Sequence, residues 1–256
     1  MVHALRLAEL TREDVRELAP NTTAILPTAS TEQHGSHLPL NTDAVLGEAI
    51  TLRAAELAGA EIPVVVAPVL ALGNSGHHLF SCALSLRSST YLAVLNDVAD
   101  SLVATGFKRI FVLNSHGGND ECVKLVAKDL VLRHQVAIAV GAYWELAEEA
   151  ILKAGGEEIG RMPGHSGGFE TSMMMAVAPE LVRRDRMPVK DPQPPAIFAQ
   201  GIAKGLVVQK FGEWARTGGY TDAPSKASSE VGETLLEAIS RAVADAIVAF
   251  HQAAYN

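Results

Sequence analysis

The sequence predicts an α/β protein, a three-layer αβα sandwich with a mostly parallel sheet, and three observations lead to it. Four candidate strands are apolar along their length rather than alternating, as strands covered on both faces are. Each is followed by a stretch with helical character, the order that parallel crossover units need. The polar, histidine-bearing segments come directly after strands, at the carboxyl edge of the sheet, where open α/β proteins place their ligands.

Thr11 ahead of Arg12, Glu13 and Asp14 is the N-cap of a short first helix, its hydroxyl accepting from first-turn amides. Residues 23–27 form a strand, 28–43 a polar loop, and 44–57 a helix of good helix formers. Residues 64–69 are a continuous apolar strand, followed by a loop rich in Gly, Ser and His and by an amphipathic helix over 90–105. Residues 109–114 give a third strand, which ends in Ser115-His116-Gly117-Gly118-Asn119 before a helix running to His134. Residues 135–143 give a fourth strand. A Met-rich helix over 170–178, a four-proline connector over 188–195 and a long closing helix over 228–255 complete a single domain spanning 1–256. The connector reads as a surface loop, with an ordered insertion or subunit contact as the alternative.

Composition removes several classes of function. The 256 residues are 48% apolar, enough to bury a large core. A net charge of −8, without a basic stripe carrying interleaved aromatics, argues against a nucleic-acid partner. No run approaches the ~20 apolar residues that span a bilayer. The N-terminus lacks a basic region followed by an apolar stretch, so a cytoplasmic protein without a membrane partner is expected. Cys82 and Cys122 are too few for a disulfide framework and are expected to be small, reduced core residues.

Four constellations carry chemistry. In Thr31-Glu32-Gln33-His34-Gly35-Ser36-His37, Glu32 and His34 leave an extended segment on the same side, and Asp43 returns at the next helix start. Carboxylate with imidazole makes a mixed O/N site suited to Zn, Mn or Fe; the alternative is that Asp43 caps the helix and the others are solvated. His116 projects from a glycine turn that permits close backbone approach; a phosphate cradle is the weaker reading, since no Gly-Lys-Ser/Thr fingerprint is present. His165 lies in a glycine-flanked loop and Glu170 in the first turn of a helix, where the dipole favours a carboxylate and an ordinary first-turn acid is the alternative. Ser166 and Ser172 lack the Gly-x-Ser-x-Gly elbow of a nucleophile. Adjacent His77 and His78 are expected to point apart, which favours substrate contact or support of a ligand over joint binding of one metal. Asn119 and Tyr220, the latter in a turn-rich segment over 217–222, join them as candidate substrate contacts.

Taken in order, Thr31-Glu32-Gln33-His34-Gly35 with His37-Leu38-Pro39-Leu40 and Asp43, then His116-Gly117-Gly118-Asn119, then His165 with Phe169-Glu170-Thr171-Ser172, resemble the serial signatures of the creatininase family of amidohydrolases. The resemblance covers residues 20–240. It implies hydrolysis of a C–N amide bond in a small molecule by metal-activated water, two divalent ions (Zn and/or Mn, with Fe as an alternative), and a homo-oligomer, commonly a hexamer. Carried over residue by residue, Glu32, Asp43 and His116 resemble ligands of one ion, and His34 with a shared Asp43 those of the second. Glu170 is similar to the acid placed beside that second ion, and His165 to the loop histidine that shuttles a proton. Two departures point away from creatinine as substrate. Creatinine-cleaving members carry a glutamate where Gly118 stands, leaving a ligand missing unless Glu170 supplies it. They also carry a stacking aromatic shortly before the loop histidine, where Arg161-Met162-Pro163-Gly164 stand here. Members with the His-Gly-Gly-Asn form act on formamide groups of pyrimidine intermediates or on terminal residues of small peptides. A metal-dependent lyase or isomerase and a non-catalytic metal-binding protein are the readings from other classes.

Overall fold

The computed structural model describes residues 5–192, 208 and 210–254. Five parallel strands, β1 Leu5–Arg6, β2 Thr23–Thr28, β3 Val64–Val66, β4 Arg109–Asn114 and β5 Ala137–Ala142, form one sheet in the order β1-β3-β2-β4-β5. The helices are α1 Arg12–Leu18, α2 Thr42–Ala58, α3 Ser88–Thr105, α4 Asp120–Arg133, α5 Tyr143–Leu146, α6 Glu148–Lys153, α7 Gly168–Val177, α8 Glu213–Arg216 and α9 Ser229–Ala253.

The unalternating strands are explained by the two apolar clusters they separate. Ile25, Val64, Val66, Phe111 and Leu113 face α2, α7 and α9, whereas Ala24, Leu26, Val65, Ile110 and Val112 face α3 and α4. Both strand faces are therefore dry, and the layers are α, β and α. Helix ends follow local chemistry: Thr11 and Asp14 form a reciprocal capping box on α1, and Gly106, at φ 113, closes α3 in a conformation costly for other residues.

The structure departs from the sequence reading in four places. β1 is too short to leave a periodic signal. β3 stops at Val66 because the register slips by one residue: Ala67 N bonds Ile25 O, but Pro27 O is then reached by Leu70 N rather than by Val69 N, and pairing resumes only at the Thr28–Leu70 bridge. Tyr143 opens α5 rather than ending β5. Cys82 is exposed, and only Cys122 is a buried core residue. The four-proline connector and the end of the closing helix lie partly outside the described residues. Among the described residues no helix is long and apolar enough to cross a membrane.

Candidate metal centre

The strand order sets the location. From β2 the chain passes through α2 to β3 on one side, and from β4 through α4 to β5 on the other. The loops leaving these two adjacent strands therefore diverge, opening a crevice beyond their carboxyl ends. The β2 loop brings Glu32 and His34, the first turn of α2 brings Asp43, and the β4 loop brings His116. The loop into α7 adds His165, and the first turn of α7 adds Glu170.

Asp43 is the centre of this group. Its side chain makes no cap hydrogen bond, because α2 starts one residue earlier at Thr42 and turns the carboxylate inward. Ser115 fixes that turn, its single hydroxyl proton shared between the carbonyl oxygens of Asp43 and Thr28, each 2.9 Å from Oγ. Asp43 Oδ1 lies 3.1 Å from His34 Nε2, and Oδ2 lies 3.0 Å from His116 Nδ1. Each imidazole is held by its other nitrogen: His34 Nδ1 is 3.1 Å from the Glu32 carbonyl, and His116 Nε2 is 3.2 Å from the Asn74 carbonyl. Those backbone acceptors take the outer ring N–H, so the nitrogen facing Asp43 is the one left for a cation, the arrangement that orients histidine ligands. Glu32 Oε1 sits 3.3 Å from His116 Nδ1, and Glu170 Oε2 sits 3.8 Å from His34 Nε2.

All five of these side chains are buried, yet both Glu32 oxygens and Asp43 Oδ2 have no hydrogen-bond partner. Buried carboxylate oxygens without partners are costly, and a cation is the natural complement. One ligand atom per residue falls within 4.8 Å in each of three overlapping sets: Glu32, His34 and His165; Glu32, His77 and His116; His34, Asp43 and Glu170.

The electrostatics point the same way. Burial opposes charge on His34, but the Asp43 and Glu170 carboxylates outweigh it and raise its pKa to about 10. His116 is likewise raised, with Asp43 and Glu32 overcoming burial. Burial would push the Asp43 and Glu32 carboxyls up, but the neighbouring imidazoles hold both below their ordinary values. Glu170 is pushed up to about 7 by burial, reinforced by Asp43 and opposed by His34. In the metal-free chain, protons thus supply positive charge that the carboxylates demand.

The remaining candidates divide. Burial, with the charge on His34, lowers His165 to about 3, so its ring is neutral. Its Nε2 donates to the Gln33 carbonyl at 2.8 Å, and Nδ1 lies 3.6 Å from Glu32 Oε1. The loop is pinned by Thr221, which exchanges bonds with the His165 backbone, and by Asp222, which accepts from Gly168 N at 2.9 Å. His77 and His78 do not point apart: Gly76–His78 is a 3-10 turn, not an extended segment, and the two rings sit 4.2 Å apart, both lining the cavity. Gln33 holds His78 Nδ1 at 2.8 Å, while His78 Nε2 faces Glu32 Oε1 at 3.4 Å.

Two substrate-contact expectations are corrected. Asn119 is fully buried and outside the cavity lining; it ties Asn74 N to Ala29 O, so its amide is spent on backbone. Tyr220 also does not line the cavity, its hydroxyl reaching the Lys190 carbonyl at 3.4 Å; its neighbours act structurally, Gly219 O accepting from Gln33 Nε2 while Thr221 and Asp222 pin the His165 loop. Sequence reasoning missed Trp144 and Trp214, which line a cavity of about 380 Å³ together with the cluster. Trp214 packs against His77, His78 and His165 with ring centres 5.5, 4.8 and 5.4 Å away. Trp144 could have been found, since it follows β5 at the same sheet edge; Trp214 carries no such signal.

Residues 8–247 match the creatinine amidohydrolase (creatininase) family. This chain belongs to the creatininase family of amidohydrolases. It is 31% identical to creatinine amidohydrolase of Pseudomonas putida over 96% of this chain and 97% of that one. It is 30% identical to the mycofactocin precursor peptide peptidase of Mycobacterium ulcerans, covering 72% and 69%. A solved candidate creatinine amidohydrolase from Bacteroides fragilis superposes with a TM-score of 0.81 at 28% identity, over the whole of both chains.

In this chain, the surroundings of Gly118 leave no room for a side chain. A Cβ there would run into the Asn74 carbonyl oxygen and would lie 2.5 Å from His116 Nε2. Glu170 lies on the His34 side of Asp43. Of residues 161–164, only Pro163 and Gly164 line the cavity, and neither offers an aromatic face.

Proposed function

We propose that this protein hydrolyses a C–N amide bond of a small molecule other than creatinine, with a pair of divalent ions, Zn or Mn, held across Asp43. The observation that carries the reading is the Asp43 carboxylate, which directs one oxygen to His34 and the other to His116. A carboxylate split in this way is suited to bridging two ions. Glu32 and His116 would hold the first, His34 and Glu170 the second. Solved creatininase relatives include a Mn form and a Zn–Zn form, which supports that choice of metals. Bound there, such a pair makes water acidic enough to attack near neutral pH and polarises the scissile carbonyl.

The chain's own groups do the rest. His165, neutral and anchored through Nε2, offers Nδ1 as a base facing the centre; a proton taken there is passed to the departing nitrogen. Burial around the cluster limits bulk water, which strengthens the electrostatics of the reacting atoms. Trp144 and Trp214 supply apolar walls, replacing the missing aromatic before His165. The absence of both the glutamate at 118 and that aromatic supports linear formamides or terminal peptide bonds over creatinine. A related deformylase from Methanococcus maripaludis, 30% identical over 38% of this chain, and the peptidase relative make these the first substrates to test.

The experiment is metal analysis followed by a screen of creatinine, linear formamides and short peptides in ¹⁸O-labelled water with Zn or Mn. Label in the carboxyl product with about two ions per chain is expected. A purified chain that holds no divalent ion, or a product without solvent oxygen, overturns the reading.

A further inference from the structure

Resting on the two-metal reading above, we propose that His77 is a ligand of the ion on the His116 side, standing in for the carboxylate that Gly118 does not provide. The loop over 73–78 and the glycine at 118 form one structural exchange. A side chain at 118 would strike the Asn74 carbonyl, and its Cβ would lie 3.2 Å from His77 Cε1. With glycine there, the Asn74 carbonyl and the His77 ring occupy the space that a side chain at 118 would need. Asn119 locks the loop in place, accepting from Asn74 N at 3.0 Å.

The 3-10 turn then divides two adjacent histidines between two tasks. His78 is held to Gln33 through Nδ1, while its Nε2 lies 3.4 Å from Glu32 Oε1 without a hydrogen bond and falls in none of the three donor sets. His77 has no hydrogen bond on either ring nitrogen among the described residues, and one of those nitrogens lies within 4.8 Å of ligand atoms of both Glu32 and His116. Its ring is parallel to that of His116, 4° apart in orientation with centres 5.8 Å apart, so the two imidazoles stand side by side along one edge of the site. Glu32, His116 and His77 together with Asp43 would give that ion four protein donors of the mixed O/N kind that suits Zn or Mn.

The test is Zn titration of the metal-free full chain by calorimetry, with metal content checked by elemental analysis and with Co(II) absorption as a second readout. His77→Ala should keep one ion at wild-type affinity and weaken the other by more than the ~10–100-fold that losing an outer partner costs. Its Co(II) spectrum should change, and free imidazole should restore the weakened ion in His77→Gly. Gly118→Ala, whose Cβ would press on the Asn74 carbonyl and crowd the His77 and His116 rings, should weaken the same ion and spare the other. The melting temperature of the metal-free variants separates a binding defect from a folding one. Unchanged affinity for both ions in His77→Ala overturns the proposal while leaving the metal pair intact, including the case in which only KM rises, which would make His77 a substrate contact. A wild-type chain unable to hold two ions overturns the two-metal reading itself.

Discussion

Replacing Asp43 by asparagine keeps volume and shape but puts a neutral amide where a carboxylate stands between two imidazoles. Because Asp43 Oδ1 faces His34 and Oδ2 faces His116, the substitution touches both halves of the centre at once. Loss of an outer partner of a metal ligand costs ~10–100-fold in affinity, so a direct ligand costs at least that for each ion. At ~1.4 kcal/mol per tenfold, this is about 1.4–2.8 kcal/mol per ion and about 3–6 kcal/mol for the pair. Glu170→Gln provides the contrast, since Glu170 approaches only the His34 side and should weaken one ion. Calorimetric titration of the metal-free variants, with metal content measured after dialysis against a weak chelator, reads both effects. If Asp43→Asn surrendered a single ion and held the other at wild-type affinity, Asp43 would not be shared and the reasoning would fail.

Three further outcomes are expected. His165→Gln should retain both ions and lower kcat by ~10²–10⁴-fold, the usual contribution of a positioned proton-transfer group; a rate within a fewfold of wild type would remove His165 from the chemistry. Metal affinity should rise with pH: the His34 pKa of about 10 means a cation must displace its proton below that value, and Glu170, at about 7, adds a second competing proton as pH falls further. Titration at pH 8 in two buffers of different ionisation enthalpy should show protons released on binding, and no release would contradict the assigned ligands. Gly232→Ala should destabilise the fold by about 1–3 kcal/mol in urea denaturation, because a Cβ there would strike the Ser172 carbonyl where α9 crosses α7; an unchanged midpoint would show that the helices can separate freely.

The sheet and the loops that matter were legible because burial on both faces leaves an unmistakable apolar run, as in 109–114, and because ligand types concentrated in a loop have no packing use. Glu32, His34, Asp43, His116, His165 and Glu170 do converge, from three chain-distant segments. What stayed hidden depends on backbone detail or long-range contact. The direction of His77 follows from a 3-10 turn where an extended segment was expected. The commitment of Asn119 to backbone follows from a loop 45 residues away that supplies its partner. Trp214 reaches the cavity only through packing between segments remote in sequence. The closure of position 118 required knowing where Asn74 lies.

The tethering of the two central imidazoles has a consequence for anyone dissecting the site. His34 is anchored through Nδ1 and His116 through Nε2, so the rings meet Asp43 through opposite nitrogens and must hold opposite tautomers. An asparagine oxygen reaches roughly as far as Nδ1 and a glutamine oxygen as far as Nε2, so the two histidines have different amide mimics. Glutamine is the conservative exchange at 34 and asparagine the conservative one at 116. A scan that applied one amide to both would preserve one donor, displace the other, and assign unequal importance to residues whose chemical duties are matched.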